Sequence, residues 1–469
     1  MNKLGISIIS ILSIGIIGLY YYKNDNLDIK NKKLEEKIIN EVQENIKKNI
    51  PKKLLIDGIP DERMTKREVL ELMNNENKAK PILSGIEFMN DHEHKLLITE
   101  TFFNFIHSNP QHLDVYPEIL QIENTIIKIV GDLFKLPDNG CGMLSNSGTE
   151  SIFLAMVAYK RLAKKRGIEN PEVIMCETTH ISFHKACYYL ELKPIMVRQD
   201  ESGRIDLELV NNKINKNTIL IVGSAPNYPH GIVDNIFALS KLCLENNIYL
   251  HVDASYGGLL VQMCQPETII DFRNKGVSSI SIDLYHYGYC PKSTSLILYK
   301  DRNLRRQHFF ITDKWAGGLY LTPSFSGHRS GALIATCLAT ILYFGYNGYK
   351  ESYNKILALT LELKEKLKKQ EHIKVLYDPQ VSIISFTCKN IDSIYSRLYS
   401  KGWLLTLAKN PDSIQICITH EHTKIDNFAD KLINDIQENE VNENEPIYSK
   451  INVHKNNKEV IYEYLNTLY

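Results

Sequence analysis

Ser281-Ile282-Asp283-Leu284-Tyr285-His286-Tyr287-Gly288-Tyr289-Cys290-Pro291-Lys292 connects two short runs of β-branched and apolar residues, at 278–283 and 294–299. Both runs have the length and composition of strands buried in a sheet. The stretch between them contains the turn formers Gly288 and Pro291. It also carries a carboxyl, several phenols, an imidazole and an amine. In an open α/β sheet, ligands bind beyond the carboxyl ends of the strands, so this loop is a first candidate for a site.

The same signal repeats towards the N-terminus. Strands are expected at 172–176, 194–197, 218–222 and 248–253, with helices at 151–165 and 236–246. Apolar strands alternating with helices indicate an α/β fold with a buried, mainly parallel sheet. Residues 85–135 read as mostly helical, with a break at Asn109-Pro110. The segment 332–370 reads as helix interrupted near Gly345-Tyr346-Asn347-Gly348. Strands at 381–387 and 414–419 around a helical stretch predict a small α+β C-terminal domain. The expected organisation is an anchor at 4–22, a polar stalk at 23–58, a helical segment at 59–135, a large domain at 136–330 and a small domain at 331–469.

The 469 residues allow about three domain-sized units. Lys plus Arg and Asp plus Glu both number 55, so the formal net charge is zero. That balance argues against a nucleic-acid binder held by phosphate contacts. The nine cysteines include no C-x-x-C pair, which predicts reduced thiols in a cytosol-facing body and no metal centre. Residues 4–22 form an uncharged apolar run closed by Tyr20-Tyr21-Tyr22 and Lys23. This length spans a bilayer core, and the tyrosines suit its interface. A cleaved signal peptide is the competing reading; no small-x-small site follows the run.

Four further motifs carry chemistry. Asn146-Ser147-Gly148-Thr149-Glu150-Ser151 opens a helix after a loop, a geometry that cradles phosphate and that equally serves as an ordinary helix cap. His251-Val252-Asp253-Ala254 ends a strand with a carboxylate, either a ligand group or a cap for the next segment. Thr179-His180 follows another strand, with an imidazole able to stack on a flat ring or to serve only the fold. Gly223-Ser224-Ala225-Pro226-Asn227-Tyr228-Pro229-His230-Gly231 is dense in turn formers and would line the mouth of a pocket or form a plain rigid loop.

Read in order, these pieces resemble the sphingosine-1-phosphate lyases, within the pyridoxal-phosphate-dependent group II decarboxylases. The resemblance also rests on Asn109-Pro110-Gln111-His112 with Tyr116-Pro117, on Trp315-Ala316-Gly317-Gly318, on Gly327-His328-Arg329 and on Phe344-Gly345-Tyr346-Asn347-Gly348-Tyr349. It implies the aspartate aminotransferase-like fold type I and pyridoxal 5′-phosphate as cofactor. The implied substrate is a phosphorylated sphingoid base, cleaved to a fatty aldehyde and phosphoethanolamine. It further implies a homodimer and a single-pass anchor in the endoplasmic reticulum with a cytosolic body. By position, Ser147, Gly148 and Thr149 would hold the cofactor phosphate, His180 would stack on the ring, and Asp253 would pair with the pyridine nitrogen. Asn109, His112 and Arg329 would serve the site or the substrate phosphate.

The sequence departs from the family at chemical groups. Where the family reads Asp-Thr-His-Lys-Tyr-Gly, this chain has Asp283-Leu284-Tyr285-His286-Tyr287-Gly288. A Schiff base needs a primary amine, which imidazole does not offer. A family tyrosine is here Phe88. Catalytic candidates are therefore His286 as a base, His180, and Lys292 as an alternative amine. Impaired cleavage, a silent cofactor- or lipid-binding scaffold or partner subunit, and a decarboxylase or dehydratase chemistry based on His286 all stay open at this stage.

Overall fold

The computed structural model describes residues 62–73, 82–112 and 114–437. The expected anchor at 4–22 and stalk at 23–58 lie outside the described residues. The described chain forms two compact units. The larger comprises Ser84–Cys388 with Gln415–Ile433. The smaller comprises Lys389–Ile414 with the described residues at 62–73, 82–83 and 434–437.

In the larger unit, α1 (His92–Asn104) and α2 (Pro117–Leu133) precede β1 (Cys141–Ser145). Then follow α3 (Gly148–Lys165), β2 (Glu172–Cys176), α4 (Ile181–Leu190), β3 (Lys193–Val197), α5 (Leu207–Lys213) and β4 (Thr218–Ser224). The alternation continues with α6 (Ile236–Glu245), β5 (Tyr249–Asp253), α7 (Gly258–Cys264), β6 (Val277–Asp283) and β7 (Ser295–Tyr299). These seven strands form one sheet in the order β1-β7-β6-β5-β4-β2-β3. β2 to β6 pair in parallel, and β7 runs against both β1 and β6. Every residue of β1, β2, β4, β6 and β7 is buried, which fits a sheet covered by helices on both faces. One core cluster joins Ile152, Leu154, Met156 and Tyr159 of α3 to Val173, Leu220 and Ile297 on the sheet.

After the sheet come a hairpin, β8 (Phe310–Trp315) and β9 (Gly318–Thr322), and the long helix α8 (Gly331–Lys368). α8 breaks at Gly345, with φ 55° and ψ 178°, inside the Gly-Tyr-Asn-Gly signal. It is long and apolar enough to cross a membrane by length and composition, yet it is tied into this unit. Thr340 bonds His94 of α1 at 3.0 Å, and the Tyr353 hydroxyl donates to the Tyr287 carbonyl at 2.6 Å. The same unit holds β10 (Lys374–Val375) and β11 (Ile383–Thr387), which pair antiparallel.

In the smaller unit, Ile82–Leu83 pairs in parallel with Trp403–Leu404. Trp403 is fully buried and donates its indole N–H to Asp435 at 2.8 Å. The helix Ile391–Ser400 buries Ile391, Tyr395 and Leu398.

Candidate functional site

Three adjacent strand ends of the sheet, β5, β6 and β7, and the N-terminus of α3 supply most of the site. Asp253 is the last residue of β5 and is 7% exposed. Its Oδ1 accepts the Ser281 hydroxyl at 2.8 Å and the Ser255 amide at 3.2 Å. Ser281 in turn contacts His251 Nε2 at 3.1 Å, while Ser279 contacts Nδ1 at 2.7 Å. Burial holds the His251 imidazole down to about 4, with Asp253 acting in the opposite direction. A chain of neutral groups on β5 and β6 therefore orients the carboxylate from beneath.

The helix-opening motif folds as a helix cap, one of its two sequence readings. Ser147 is the N-cap of α3, with an extended backbone (φ −168°), so the serine fits without strain. Its hydroxyl accepts the Glu150 amide at 3.1 Å, and the Glu150 carboxylate accepts the Asn146 amide at 2.8 Å. The helix dipole leaves this end electropositive. Thr149 Oγ1 meets Ser182 Oγ of α4 at 2.8 Å. Gly148 is required by close approach: a Cβ there would sit 2.6 Å from Asp283 Oδ1.

His180 caps α4, accepting the Ser182 amide at Nδ1. Burial lowers its pKa, with Asp253 pulling the other way, so the ring is neutral and within charge reach of the carboxylate.

The loop after β6 gathers the titratable groups. Asp283 ends β6, fully enclosed, and accepts the Ser295 hydroxyl at 2.7 Å. Burial pushes its carboxyl up to about 7, while Ser295, Tyr285 and Lys292 pull it down. His286 Nδ1 lies 3.3 Å from Asp283 Oδ2 and 3.3 Å from the Ser255 carbonyl. With two acceptors at Nδ1, the proton belongs there and Nε2 carries the lone pair. Burial, then Lys292, holds the His286 pKa well below the ordinary imidazole value. The Tyr285 phenol bonds the Asp283 carboxylate and the Gly148 amide, and burial drives its pKa up. An aromatic wall surrounds His286: ring centroids lie 4.2 Å away for Tyr285, 4.6 Å for Tyr256 and 4.9 Å for Phe88. Gly85 lets that wall close, because with φ 63° a Cβ would fall 1.9 Å from the Tyr256 hydroxyl.

Lys292 turns back onto this loop. Its Nζ sits 4.8 Å from the Tyr285 ring centroid and 5.7 Å from that of Phe88. The side chain stays open to solvent, yet the protein crowded around the amine lowers its pKa, with Asp283 opposing.

The remaining candidates divide. Asn109 Nδ2 is 2.5 Å from His328 Nδ1, and the His112 and His328 rings lie 6.2 Å apart, so these three form one exposed polar cluster. Arg329 is engaged within the protein. Its guanidinium is bound bidentately to Glu123, 2.8 Å at each contact, and also donates to the Leu144 carbonyl at 3.1 Å. With 12% of its side chain exposed, it ties α2 to β1 and has no open fork for a ligand phosphate. Sequence reading passed over Ser182, Ser255, Tyr256 and Ser295, whose roles depend on strands and loops far away in the chain. No cluster of three or more metal-ligating side chains occurs among the described residues.

Comparison with known proteins gives consistent results. The pyridoxal-dependent decarboxylase conserved domain matches residues 86–389. Sphingosine-1-phosphate lyase 1 of Rattus norvegicus is 35% identical over 384 residues, covering 80% of this chain and 67% of that protein. The sphingosine-1-phosphate lyase of Saccharomyces cerevisiae is 35% identical over 403 residues, covering 81% and 67%. Among solved structures, the sphingosine-1-phosphate lyase of Burkholderia pseudomallei superposes with a TM-score of 0.77 at 29% identity, covering 81% of this chain and 92% of that one. Glutamate decarboxylase of Lactobacillus brevis, with a TM-score of 0.72 at 21% identity, shares the fold.

Proposed function

Because this chain belongs to the pyridoxal-dependent decarboxylase family and, within it, to the sphingosine-1-phosphate lyases, we propose that its pocket holds pyridoxal 5′-phosphate and a phosphorylated long-chain amine, with carbon–carbon cleavage slower than lysine at position 286 would support. One observation carries the reading: a neutral, buried imidazole, pinned at Nδ1 by Asp283 and Ser255, stands where the family resemblance calls for a primary amine.

The rest of the pocket fits the cofactor. The positive end of α3, with the Thr149 and Ser182 hydroxyls, would hold its phosphate. Asp253 would pair with the pyridine nitrogen, and His180 would lie against the ring. When bound, the cofactor supplies an electron sink for the bond that breaks. The chain's own residues then set the rate. Asp253 keeps its aim through Ser281 and Ser255. Phe88, Tyr256 and Tyr285 exclude water around His286. His286 Nε2 can take up a proton, but a pKa lowered by burial makes it a weak base near neutrality. That weakens the reading in which His286 alone drives a decarboxylation or dehydration. Asn109, His112 and His328 form the polar cluster offered to a substrate phosphate.

The apolar run at 4–22 serves in this proposal as a single-pass anchor in the endoplasmic reticulum, with the body in the cytosol. Two copies pair as a homodimer. In support, the β8–β9 hairpin exposes Phe310, Ile311, Trp315, Leu319 and Leu321, a surface too apolar to be left to water.

The test joins cofactor titration by absorbance with an assay for long-chain aldehyde released from a sphingoid phosphate. The wild type is expected to bind cofactor and release aldehyde slowly, and His286→Lys to release it faster. A wild type as fast as His286→Lys removes the proposed impairment. A wild type that binds no cofactor leaves only a scaffold.

A further inference from the structure

We propose that Lys292 is the amine through which this chain attaches pyridoxal 5′-phosphate, in place of a lysine at position 286. The inference rests on the cofactor reading above and adds the identity of the attachment atom.

Backbone geometry makes it possible. Six residues of extended chain would carry Lys292 about 20 Å from position 286. Instead the loop closes on itself. The Leu284 amide donates to the Thr294 carbonyl at 3.2 Å, the Cys290 amide to the Leu284 carbonyl at 3.1 Å, and the Tyr289 amide to the His286 carbonyl at 3.1 Å. Tyr289 and Ser293 both adopt positive φ, 58° and 70°, on either side of Pro291-Lys292. These reversals return Lys292 to the strand end it left.

The side chain then shares the surroundings of His286. The Lys292 amine lies 4.8 Å from the Tyr285 ring centroid and 5.7 Å from that of Phe88. The His286 ring lies 4.2 and 4.9 Å from the same two centroids. Amine and imidazole thus face the same pair of aromatic rings, at the end of β6 and beside Asp283, which abuts Gly148 at the helix that would hold the cofactor phosphate. Among the described residues Lys292 forms no salt bridge or hydrogen bond, so the nitrogen is not committed elsewhere. The crowding that lowers its pKa also raises the fraction of neutral, nucleophilic amine.

The step balances without another reagent. The neutral Nζ attacks the aldehyde carbon, a carbon–nitrogen double bond replaces the carbon–oxygen double bond, and the oxygen leaves as water with the two amine hydrogens. A substrate amine would add in turn to the carbon–nitrogen double bond and release Lys292 as the free amine, its two hydrogens passing to the lysine nitrogen.

The experiment incubates the full-length protein with pyridoxal 5′-phosphate, reduces with borohydride, digests, and maps the adduct by mass spectrometry. Equilibrium dialysis of the unreduced protein measures total bound cofactor. The expected result is a phosphopyridoxyl group on Lys292, retained in His286→Ala and lost in Lys292→Met, which still binds cofactor in dialysis. An adduct on a different lysine, or bound cofactor with no reducible adduct, overturns the proposal and leaves the cofactor reading standing. No bound cofactor in dialysis overturns both. The wild-type map decides the question even if Lys292→Met does not fold.

Discussion

The pocket floor and the 283–292 loop both start from strand ends of one sheet, but their polar groups are partnered differently. On the floor, neutral hydroxyls and amides hold the one carboxylate: Ser281 and Ser255 on Asp253, with His251 behind them. In the loop, Asp283, Tyr285, His286 and Lys292 lean on one another, and each has its proton affinity displaced by the others and by burial. A network of neutral donors fixes geometry at any ordinary pH. A cluster of interacting ionisable groups instead changes its charges as a set. The floor is therefore held in one geometry, and the loop shifts its protons together as pH changes.

Substitutions can break or sharpen this contrast, beginning with the largest effect. Arg329→Met removes one side of a buried ion pair behind the floor and strands Glu123. The expected loss is about 3–5 kcal/mol of stability, read as a lower denaturation midpoint. A shift near zero would mean that the pair does not brace the floor. Asp253→Asn comes next, weakening cofactor binding by at least about 2 kcal/mol, roughly 30-fold, in equilibrium dialysis. Unchanged affinity would remove Asp253 from the ring site.

The loop predicts a pH effect that the floor lacks. Asp283 in the folded chain titrates at about 7, above its ordinary value near 4. Between these pH values the unfolded chain has released the proton while the folded chain still holds it. Stability contributed by this group is therefore full at low pH and falls as pH rises through that window. Denaturation curves from pH 4 to 8 should show a steeper decline in the wild type than in Asp283→Asn. Parallel profiles would show that Asp283 is not the titrating group. The smallest effect is expected from Tyr285→Phe, which loses a hydrogen bond to Asp283 and the Gly148 amide, about 1 kcal/mol. A midpoint unchanged within error would mean that the phenol is not bonded there.

The sheet was readable because its strands are continuous apolar runs. Glu172–Cys176 coincides with the expected span, and 278–283 differs by one residue from Val277–Asp283. Cys141–Ser145 escaped because Cys-Gly-Met-Leu-Ser has no β-branched residue, and the hairpin because its apolar side chains face outward. Gly148, Thr149, His180, Asp253, His286 and Lys292 gather at one end of the sheet, near where their motifs placed them. Arg329 could not be judged from sequence, since Glu123 lies 206 positions away. The return of Lys292 was equally hidden, because it turns on positive φ at a tyrosine and a serine, not at glycine.

The aromatic box around His286 constrains what else position 286 can hold. Phe88, Tyr256 and Tyr285 pack against a flat ring, whereas a lysine is a slender chain that leaves such a slot half filled. A lysine introduced at position 286 therefore supplies an amine but gives up the ring packing that now fills the box.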